Sequence, residues 1–236
     1  MSEIQENVKA LRARIAEAAQ QSGRCPEDIT LVAATKMNDA ARVREAIAAG
    51  IDVAGENRVQ ELLDKYEQGA YEGVPLHFIG NLQTNKVKYL IGKVALIQSV
   101  DRMELLACIE KEAARQGLVQ DILLEVNVSG EESKSGFTPD QALHALQLAE
   151  TFPHIAVRGL MTMAPQGNLE VARECFEGLA ALRDTLRSQL PSEQAAIFNE
   201  LSMGMSEDWR EAVCAGATMV RIGRALFSDS FESVRA

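Results

Sequence analysis

The sequence predicts an α/β fold of one particular kind, a (β/α)8 TIM barrel preceded by one extra helix. Eight strand-like segments alternate with helix-like segments along the chain, and 236 residues is a usual length for an undivided barrel. The composition agrees, because 47% hydrophobic but only 5% aromatic residues imply the aliphatic core of helices packed on a parallel sheet. We therefore expect residues 1–236 to form a single domain.

The extra helix comes first, and the strands follow it. Ile4, Val8, Leu11 and Ile15 lie three or four residues apart and mark one face of an amphipathic helix. The strands are short, mostly apolar runs between turn residues. They are predicted at Ile29–Lys36, Asp52–Glu56, Leu76–Gly80, Ala95–Val100, Ile122–Val128, Ala156–Met163, Asn199–Met203 and Thr218–Ile222.

Helical patterns fill the intervals between the strands. Val43 and Ile47 have helical spacing within Ala40–Ala49. Thr138 is a typical N-cap, and the proline after it suits the first turn of a helix. Another long helix is predicted after Asn168. The alternative fold is an open doubly wound sheet, but no Gly-x-Gly-x-x-Gly turn follows the first strand.

Charge and cysteine usage exclude several classes of protein. A formal net charge of −10 argues against a general nucleic-acid binder, which needs a basic surface. No apolar run approaches the roughly 20 residues that span a bilayer, and the charged amino terminus does not resemble a signal peptide. The four cysteines are widely spaced without a CxxC pair, so we expect reduced thiols rather than disulfides or a zinc site. The sequence therefore predicts a cytoplasmic protein without a metal site.

Lys36 ends the first predicted strand, an almost wholly apolar run. Such a strand is buried on both faces, so we expect the amine of Lys36 to lie beside low-dielectric surroundings. Burial disfavours the ammonium form, and a neutral lysine is the nucleophile that a Schiff base requires. The alternative is a lysine whose head reaches water at the tip of the strand.

Small and hydroxyl-bearing residues follow the last two predicted strands, where barrels often hold phosphate. Ser202, Gly204 and Ser206 supply hydroxyls and approachable N–H groups ahead of a predicted helix, Asp208–Ala215. Gly223 allows the backbone to close on a ligand after the eighth strand. The alternative reading is that Ser206 only caps its helix.

Arg221 lies inside the eighth predicted strand, between two apolar residues. A buried guanidinium needs a partner, because it stays charged in proteins. A carboxylate such as Glu200 would satisfy it structurally, and a heterocyclic nitrogen would satisfy it functionally. Two further polar residues end early strands: His77 suits a hydrogen-bonded core position better than catalysis, and Glu56 suits either orienting Asn57 or pairing with a lysine. We assign no catalytic residue.

Seven segments of the chain, in order, resemble those of the pyridoxal phosphate homeostasis proteins, single-domain relatives of the alanine racemase barrel. The resemblance covers essentially the whole chain. The segments are Thr35-Lys36, Gly55-Glu56-Asn57-Arg58-Val59-Gln60-Glu61, His77-Phe78-Ile79-Gly80-Asn81-Leu82-Gln83-Thr84-Asn85-Lys86, Ser133-Lys134-Ser135-Gly136, Arg158-Gly159-Leu160-Met161, Leu201-Ser202-Met203-Gly204-Met205-Ser206 and Val220-Arg221-Ile222-Gly223.

The resemblance implies a role for each matching residue. Lys36 would form a Schiff base with pyridoxal 5′-phosphate (PLP), Arg221 would face its pyridine nitrogen, and Asn57 would line the pocket. The phosphate would be held by Ser202 and Gly204 after the seventh strand, and by Gly223 and the backbone of Arg224 after the eighth. Three departures from the family pattern stand out: Arg224 replaces a small hydroxyl residue, Met37-Asn38-Asp39 replaces a more basic or proline-containing stretch, and Ser228 replaces a glycine.

The resemblance also implies a carrier more than a catalyst. An arginine leaves the ring nitrogen unprotonated and the cofactor a weak electron sink. The related racemases need a tyrosine from a second domain as second base, whereas Tyr66, Tyr71 and Tyr89 lie in early helices and loops. We therefore predict a PLP-binding protein of vitamin B6 homeostasis, with PLP-dependent apoenzymes as candidate recipients. The alternatives are a low-activity amino-acid racemase and a Schiff-base aldolase acting on a phosphosugar.

The sequence also bears on two further lysines and on the oligomeric state. Lys86 and Lys134 lie in matching segments, and an ordinary surface position is favoured over a part in cofactor release for both. Without a second domain to complete a dimer, we expect a monomer.

Overall fold

Eight parallel strands close into a barrel in chain order, as the sequence predicted. The computed structural model of the chain describes residues 2–131 and 135–228. The strands are β1 (Thr30–Ala34), β2 (Val53–Glu56), β3 (Leu76–Phe78), β4 (Leu96–Val100), β5 (Gln120–Glu125), β6 (Ile155–Met161), β7 (Glu200–Ser202) and β8 (Met219–Ile222). The first and last strands close the barrel, with Val32 opposite Arg221.

Helices surround the barrel and include the expected extra helix at its start. They are α1 (Glu3–Gln21), α2 (Ala40–Ala48), α3 (Val59–Glu67), α4 (Met103–Gln116), α5 (Pro139–Ala149), α6 (Leu169–Arg187), α7 (Ser192–Ile197), α8 (Trp209–Cys214) and α9 (Arg224–Phe227), with 3-10 turns at Pro26–Asp28 and Thr84–Tyr89. No helix in residues 2–131 or 135–228 is long and apolar enough to cross a bilayer.

Capping chemistry sets the helix starts that the sequence indicated. Thr138 Oγ1 accepts a hydrogen bond from the N–H of Gln141, and the Gln141 side-chain oxygen accepts one from the Thr138 N–H. Asn168 accepts from the N–H groups of Glu170 and Val171 at the start of α6. These side chains satisfy first-turn donors that a helix leaves open.

Several strands end earlier than the sequence predicted. The first strand ends at Ala34 and not at Lys36, and the fifth ends at Glu125 and not at Val128. The Val126 N–H still donates to the Met161 carbonyl of β6, and the chain then leaves the ladder, because the N–H of Asn127 bonds the Phe137 carbonyl of the following loop. The residues just beyond each strand therefore belong to loops at the barrel mouth, where ligands bind in this fold.

The core has an outer and an inner part. The outer part lies between helices and strands, as the amphipathic patterns require. The inner part is a small apolar cluster inside the barrel, to which nearly every strand contributes: Val32, Val53, Ile79, Leu96, Leu123, Met161 and Met219. Nearer the mouth, buried polar side chains take the inner positions.

Candidate functional site

The barrel brings the predicted site residues together at one end. Strands β7, β8, β1 and β2 are neighbours, and each predicted residue lies at or just beyond the carboxyl end of one of them. The Arg221 N–H donates to the Gly204 carbonyl, which links the two loops expected to hold phosphate. A Cβ added to Gly223 would meet the Ala34 carbonyl oxygen at 3.2 Å, so β8 passes close to the end of β1 there.

Lys36 lies in the turn after β1, and its side chain is exposed. The low-dielectric surroundings expected for it are therefore not found, because the strand stops two residues earlier and the side chain emerges at the mouth. Among the described residues its ammonium has no hydrogen-bond or ion-pair partner. The amine is accessible to a ligand by exposure and not by burial.

Arg221 is buried, and its guanidinium is tied to two neighbouring strands. One terminal nitrogen donates to Ser202 Oγ at 2.7 Å, and the other donates to the Thr162 carbonyl at 2.9 Å. Burial lowers the pKa of Arg221 to about 10, although the nearby carboxylates of Glu125 and Asp208 raise it. The guanidinium therefore remains a cation at neutral pH.

The carboxylate suggested as a structural partner of Arg221 is not its partner. Glu200 accepts a hydrogen bond from the hydroxyl of Thr218 at 2.5 Å. Glu200 lies at the opposite end of β7 from Ser202, so its side chain belongs to another layer of the barrel. The functional alternative, an acceptor supplied by a ligand, stays open.

A chain of buried polar side chains continues from Arg221 across the barrel. The hydroxyl of Ser202 donates to Gln98 Oε1 at 2.6 Å, and Gln98 Nε2 contacts His77 Nδ1 at 2.9 Å. Burial lowers the pKa of His77 to about 4. His77 is thus a neutral, hydrogen-bonded core residue, as favoured from the sequence.

Free N–H groups remain in the two loops predicted to hold phosphate. Among the described residues, the N–H groups of Gly204, Ser206, Gly223 and Arg224 donate to no carbonyl or side chain. Gly204 adopts φ +90, and a Cβ there would lie 2.6 Å from that of Ala212, so the loop excludes a side chain. Backbone donors without partners suit an anion. The hydroxyl of Ser202, by contrast, is already engaged.

The remaining loop residues answer two questions left open by the sequence. Arg224 is exposed, and its guanidinium donates to Glu207 at 2.5 Å, so its side chain leaves the pocket and only its N–H faces the loop. Ser206 does not cap the following helix. Asp208 occupies that position, and its carboxylate accepts from the Met205 N–H at 2.6 Å.

Asn57 follows β2 and holds a buried polar atom without a partner. Its side-chain oxygen is shielded from solvent and forms no hydrogen bond within the described residues. Its own N–H donates to Glu56 Oε1 at 2.8 Å, and Glu56 Oε2 pairs with Lys65 at 2.8 Å. Glu56 therefore fulfils both of the roles considered for it.

A cavity of about 560 Å³ opens at the carboxyl ends of β5 to β7, on another side of the mouth from Asn57. Its lining includes Glu125, Asn127 and Met163. Glu125 is 4% exposed, and burial together with the charge of Asp101 raises its pKa to about 7, against the lowering effect of Arg221. A carboxyl group poised near neutrality thus faces the barrel mouth.

The residues present fit a phosphorylated, aldehyde-bearing heterocycle. The accessible amine of Lys36, the backbone N–H groups suited to an anion and the buried cation of Arg221 lie at separate places around the barrel mouth. The buried side-chain oxygen of Asn57 has no hydrogen-bond donor within the described residues. Such a cofactor would supply an aldehyde for condensation with amines.

Sequence reasoning missed several residues that shape the site. Gln98, Thr162, Glu125 and Lys65 were not singled out, although Gln98 interrupts an apolar strand as Arg221 does. Lys86 lies 5.7 Å from the ring centroid of Tyr89 in a cation-π contact. Lys134 lies outside the described residues.

Of the three tyrosines, Tyr71 alone reaches the carboxyl end of a strand, where its hydroxyl donates to Glu56 Oε2 at 3.4 Å. Tyr66 and Tyr89 are exposed on α3 and the 3-10 turn before β4. Tyr71 is buried, and burial next to Glu56 raises its pKa well above its ordinary value.

Comparisons with known proteins concern the chain as a whole. The family model described as alanine racemase, N-terminal domain, matches residues 3–230. The chain is 43% identical to the pyridoxal phosphate homeostasis protein of Aquifex aeolicus, over 95% of this chain and 97% of that protein.

Two solved structures extend the comparison. PipY of Synechococcus elongatus PCC7942, solved with PLP bound, superposes with a TM-score of 0.83 at 32% identity, over 95% of this chain and all of that one. A Bifidobacterium adolescentis protein described as unknown gives 0.89 at 38% identity, over 95% and 94% of the two chains.

Proposed function

Because this chain belongs to the pyridoxal phosphate homeostasis protein family, we propose that it binds PLP as a Schiff base on Lys36 and acts in vitamin B6 homeostasis rather than in catalysis. Support comes from relatives that carry this name and from PipY, solved with PLP bound. Asn57, Gly204, Gly223, Arg221 and the N–H of Arg224 are the residues proposed to hold the cofactor. Ser202 contributes through its bond to Arg221.

The observation that carries the proposal is the buried cation of Arg221 beside free N–H groups at the ends of β7 and β8. The N–H groups suit a phosphate, and the guanidinium suits an unprotonated pyridine nitrogen. Since a guanidinium does not give up its proton at neutral pH, it leaves the ring a weak electron sink. This favours storage over transformation of amino acids.

Lys36 supplies the covalent attachment. Its neutral Nζ adds to the aldehyde carbon, a C=N bond forms, and the aldehyde oxygen leaves as water with two protons from the amine. The exposed position of Lys36 at the mouth leaves this bond open to exchange with other amines. Reversible exchange is what delivery to apoenzymes requires.

The direct test is the absorption spectrum of the protein with PLP, before and after borohydride reduction. A visible Schiff-base band that reduction fixes, with the added mass on the Lys36 peptide, supports the proposal. Lys36→Ala should lose the band, and Lys88→Ala, a matched change of an exposed lysine, should keep it. A colourless protein, or a band retained in Lys36→Ala, contradicts the proposal.

One observation favours a second candidate function, slow racemisation. Glu125 offers the cavity a carboxyl group whose pKa of about 7 suits proton transfer. Exchange of an amino acid's α-proton with deuterated water, lost in Glu125→Gln while PLP still binds, would support it. Absence of exchange over a panel of amino acids leaves the carrier as the function.

We also propose that residues 1–236 form one domain and that the protein is a monomer of the cytoplasm. The eight strands form one closed sheet, and none of the four cysteines forms a disulfide within the described residues, which suits a reducing compartment. Light scattering tests the oligomeric state, and a single cooperative unfolding transition tests the domain count.

A further inference from the structure

A buried cluster of charges lies directly behind the turn that carries Lys36. The ammonium of Lys65 donates to Glu56 at 2.8 Å, to Glu61 at 2.7 Å and to the Thr35 carbonyl at 2.8 Å. Lys65 is 5% exposed and Glu56 is fully buried. An ammonium has three donors, so all of them are used. Lys65 Nζ is therefore fully engaged and is not available as a second nucleophile.

The cluster forms hydrogen bonds with the backbone on both sides of Lys36. The carbonyl of Thr35, before Lys36, accepts from Lys65. The N–H of Met37, after Lys36, donates to Glu61 Oε1 at 2.6 Å. The two peptide groups that flank the Lys36 Cα are thus both bonded to α3, and together they fix the direction of its Cα–Cβ bond.

Met37 has an unfavourable backbone conformation, which hydrogen bonds must stabilise. It is the one non-glycine residue with positive φ in the described part of the chain, at +63. Left-handed backbone disfavours side chains with a Cβ. Met37 is 86% exposed, so side-chain packing does not hold it in place. The turn is held by hydrogen bonds: the Met37 N–H donates to Glu61, and Asn38 donates to the carbonyls of Thr35 at 3.2 Å and Lys36 at 3.0 Å. The bond to Glu61 is the one that ties the turn to α3.

We propose that Glu61 and Lys65 are positioning residues that aim Lys36 into the barrel mouth by clamping the two peptide groups beside it. The inference rests on the proposed function of Lys36 as the cofactor-bearing residue. Because the Lys36 side chain has no partner of its own among the described residues, its direction is set by the backbone. A fixed starting direction shortens the search of the amine for the aldehyde carbon.

If Glu61 and Lys65 had a purely structural role, they would only anchor α3 to β2 through Glu56. Removing Glu61 would then leave the turn that carries Lys36 unchanged. Substitution of Glu61 distinguishes the two roles, because its side chain is 22% exposed and the ion pair between Lys65 and Glu56 remains when Glu61 is removed. Glu61→Ala deletes the acceptor for the Met37 N–H. Glu61→Gln keeps an acceptor oxygen at the same reach, and Glu61→Asp keeps the charge but withdraws the oxygen.

The experiment measures two quantities in each variant. The first is the hydrogen-exchange rate of the Met37 amide in the cofactor-free protein, by NMR. The second is the rate at which Lys36 forms a Schiff base with PLP and with pyridine-4-carboxaldehyde, which lacks the phosphate. Glu177→Ala is the matched control, since it removes an exposed glutamate four residues from its cation on α6.

Glu61→Ala should speed exchange of the Met37 amide about 10-fold and slow attachment of both aldehydes about 10-fold, as loss of one charged hydrogen bond implies. Glu61→Gln should remain within about three-fold of the parent protein, and Glu177→Ala should not differ from it. Glu61→Asp should behave as the alanine variant does, and it replaces that variant if the latter does not fold.

Two results overturn the positioning role: unchanged Met37 exchange in Glu61→Ala, or faster exchange with unchanged attachment rates. A parent protein that attaches pyridine-4-carboxaldehyde on Lys36 but not PLP overturns the proposed function instead. In that case the effect of Glu61→Ala on the smaller aldehyde still decides the role of the clamp.

Discussion

The guanidinium of Arg221 donates a 2.7 Å hydrogen bond to the hydroxyl of Ser202, and this bond sets the direction of every hydrogen bond beyond it. An arginine only donates, so the Ser202 hydrogen goes to Gln98 Oε1. The Gln98 amide nitrogen must then donate to His77 Nδ1. His77 is therefore neutral with its proton on Nε2, in agreement with its lowered pKa.

Replacing Gln98 with glutamate should raise the pKa of His77. In the parent protein that pKa is about 4, because burial opposes the charged ring. In Gln98→Glu a carboxylate at the same place favours the imidazolium, so the pKa should rise by at least about two units. NMR titration of the His77 ring measures it. Gln120→Glu, also a buried strand glutamine, is the control, and a His77 pKa still near 4 in Gln98→Glu would show that the two side chains are not coupled.

Removing the charge of Arg221 should destabilise the barrel as well as the site. Arg221→Gln removes the charged donor of Ser202 Oγ and the Thr162 carbonyl and the cation near Glu125 and Asp208, which should cost about 1–3 kcal/mol of the free energy of unfolding. PLP affinity should fall at least about 10-fold, since a charge-assisted contact is lost. Urea unfolding and a PLP titration measure the two effects. The exposed Arg210→Gln should change neither, and a cost below about 1 kcal/mol in Arg221→Gln would mean that the carboxylates are protonated without it.

The parts of the site that the sequence predicted are those carried by strong local signals. Arg221 stands out because a charge between apolar strand residues demands a partner. Thr138 before a proline predicted a helix start correctly, because capping is a matter of a few adjacent residues. Strand alternation with helices predicted the closed barrel.

The parts that it missed depend on packing between distant segments. Lys65 follows Glu61 by four residues and resembles a solvent-exposed helix pair, yet α3 places it under the turn after β1. Gln98 gave a weaker signal than Arg221 because a neutral amide is less costly to bury than a charge. The sequence left open whether the Lys36 amine is buried or reaches water, because Lys36 follows the end of the apolar run by only two residues.

Gly80→Ala should disturb the pocket without changing any pocket side chain. A Cβ at Gly80 would lie 2.0 Å from the Asn57 carbonyl oxygen, so the backbone of Asn57 must move. We expect PLP affinity to fall about 10-fold and the free energy of unfolding to fall by about 2–4 kcal/mol. Fluorescence titration with PLP and urea unfolding measure both. Gly178→Ala is the control, since its Cβ would meet only the end of the Val128 side chain, at 3.0 Å. Unaltered affinity in Gly80→Ala would exclude Asn57 from the pocket.

Glu125 should make the folded state less stable as the pH rises through the acid-to-neutral range. Its pKa is about 7 in the folded protein and 4.5 in an ordinary setting, so between these values the folded state binds more protons than the unfolded state. Stability therefore falls as pH rises through this window, by up to about 3 kcal/mol. Glu125→Gln removes the effect, and its advantage over the parent protein, measured by urea unfolding, should be larger at pH 8 than at pH 5. His77 contributes the opposite slope, since its pKa is lowered, but it is present in both proteins and cancels in the difference. The exposed Glu104→Gln is the control, and an equal advantage of Glu125→Gln at both pH values would mean that Glu125 ionises as readily folded as unfolded.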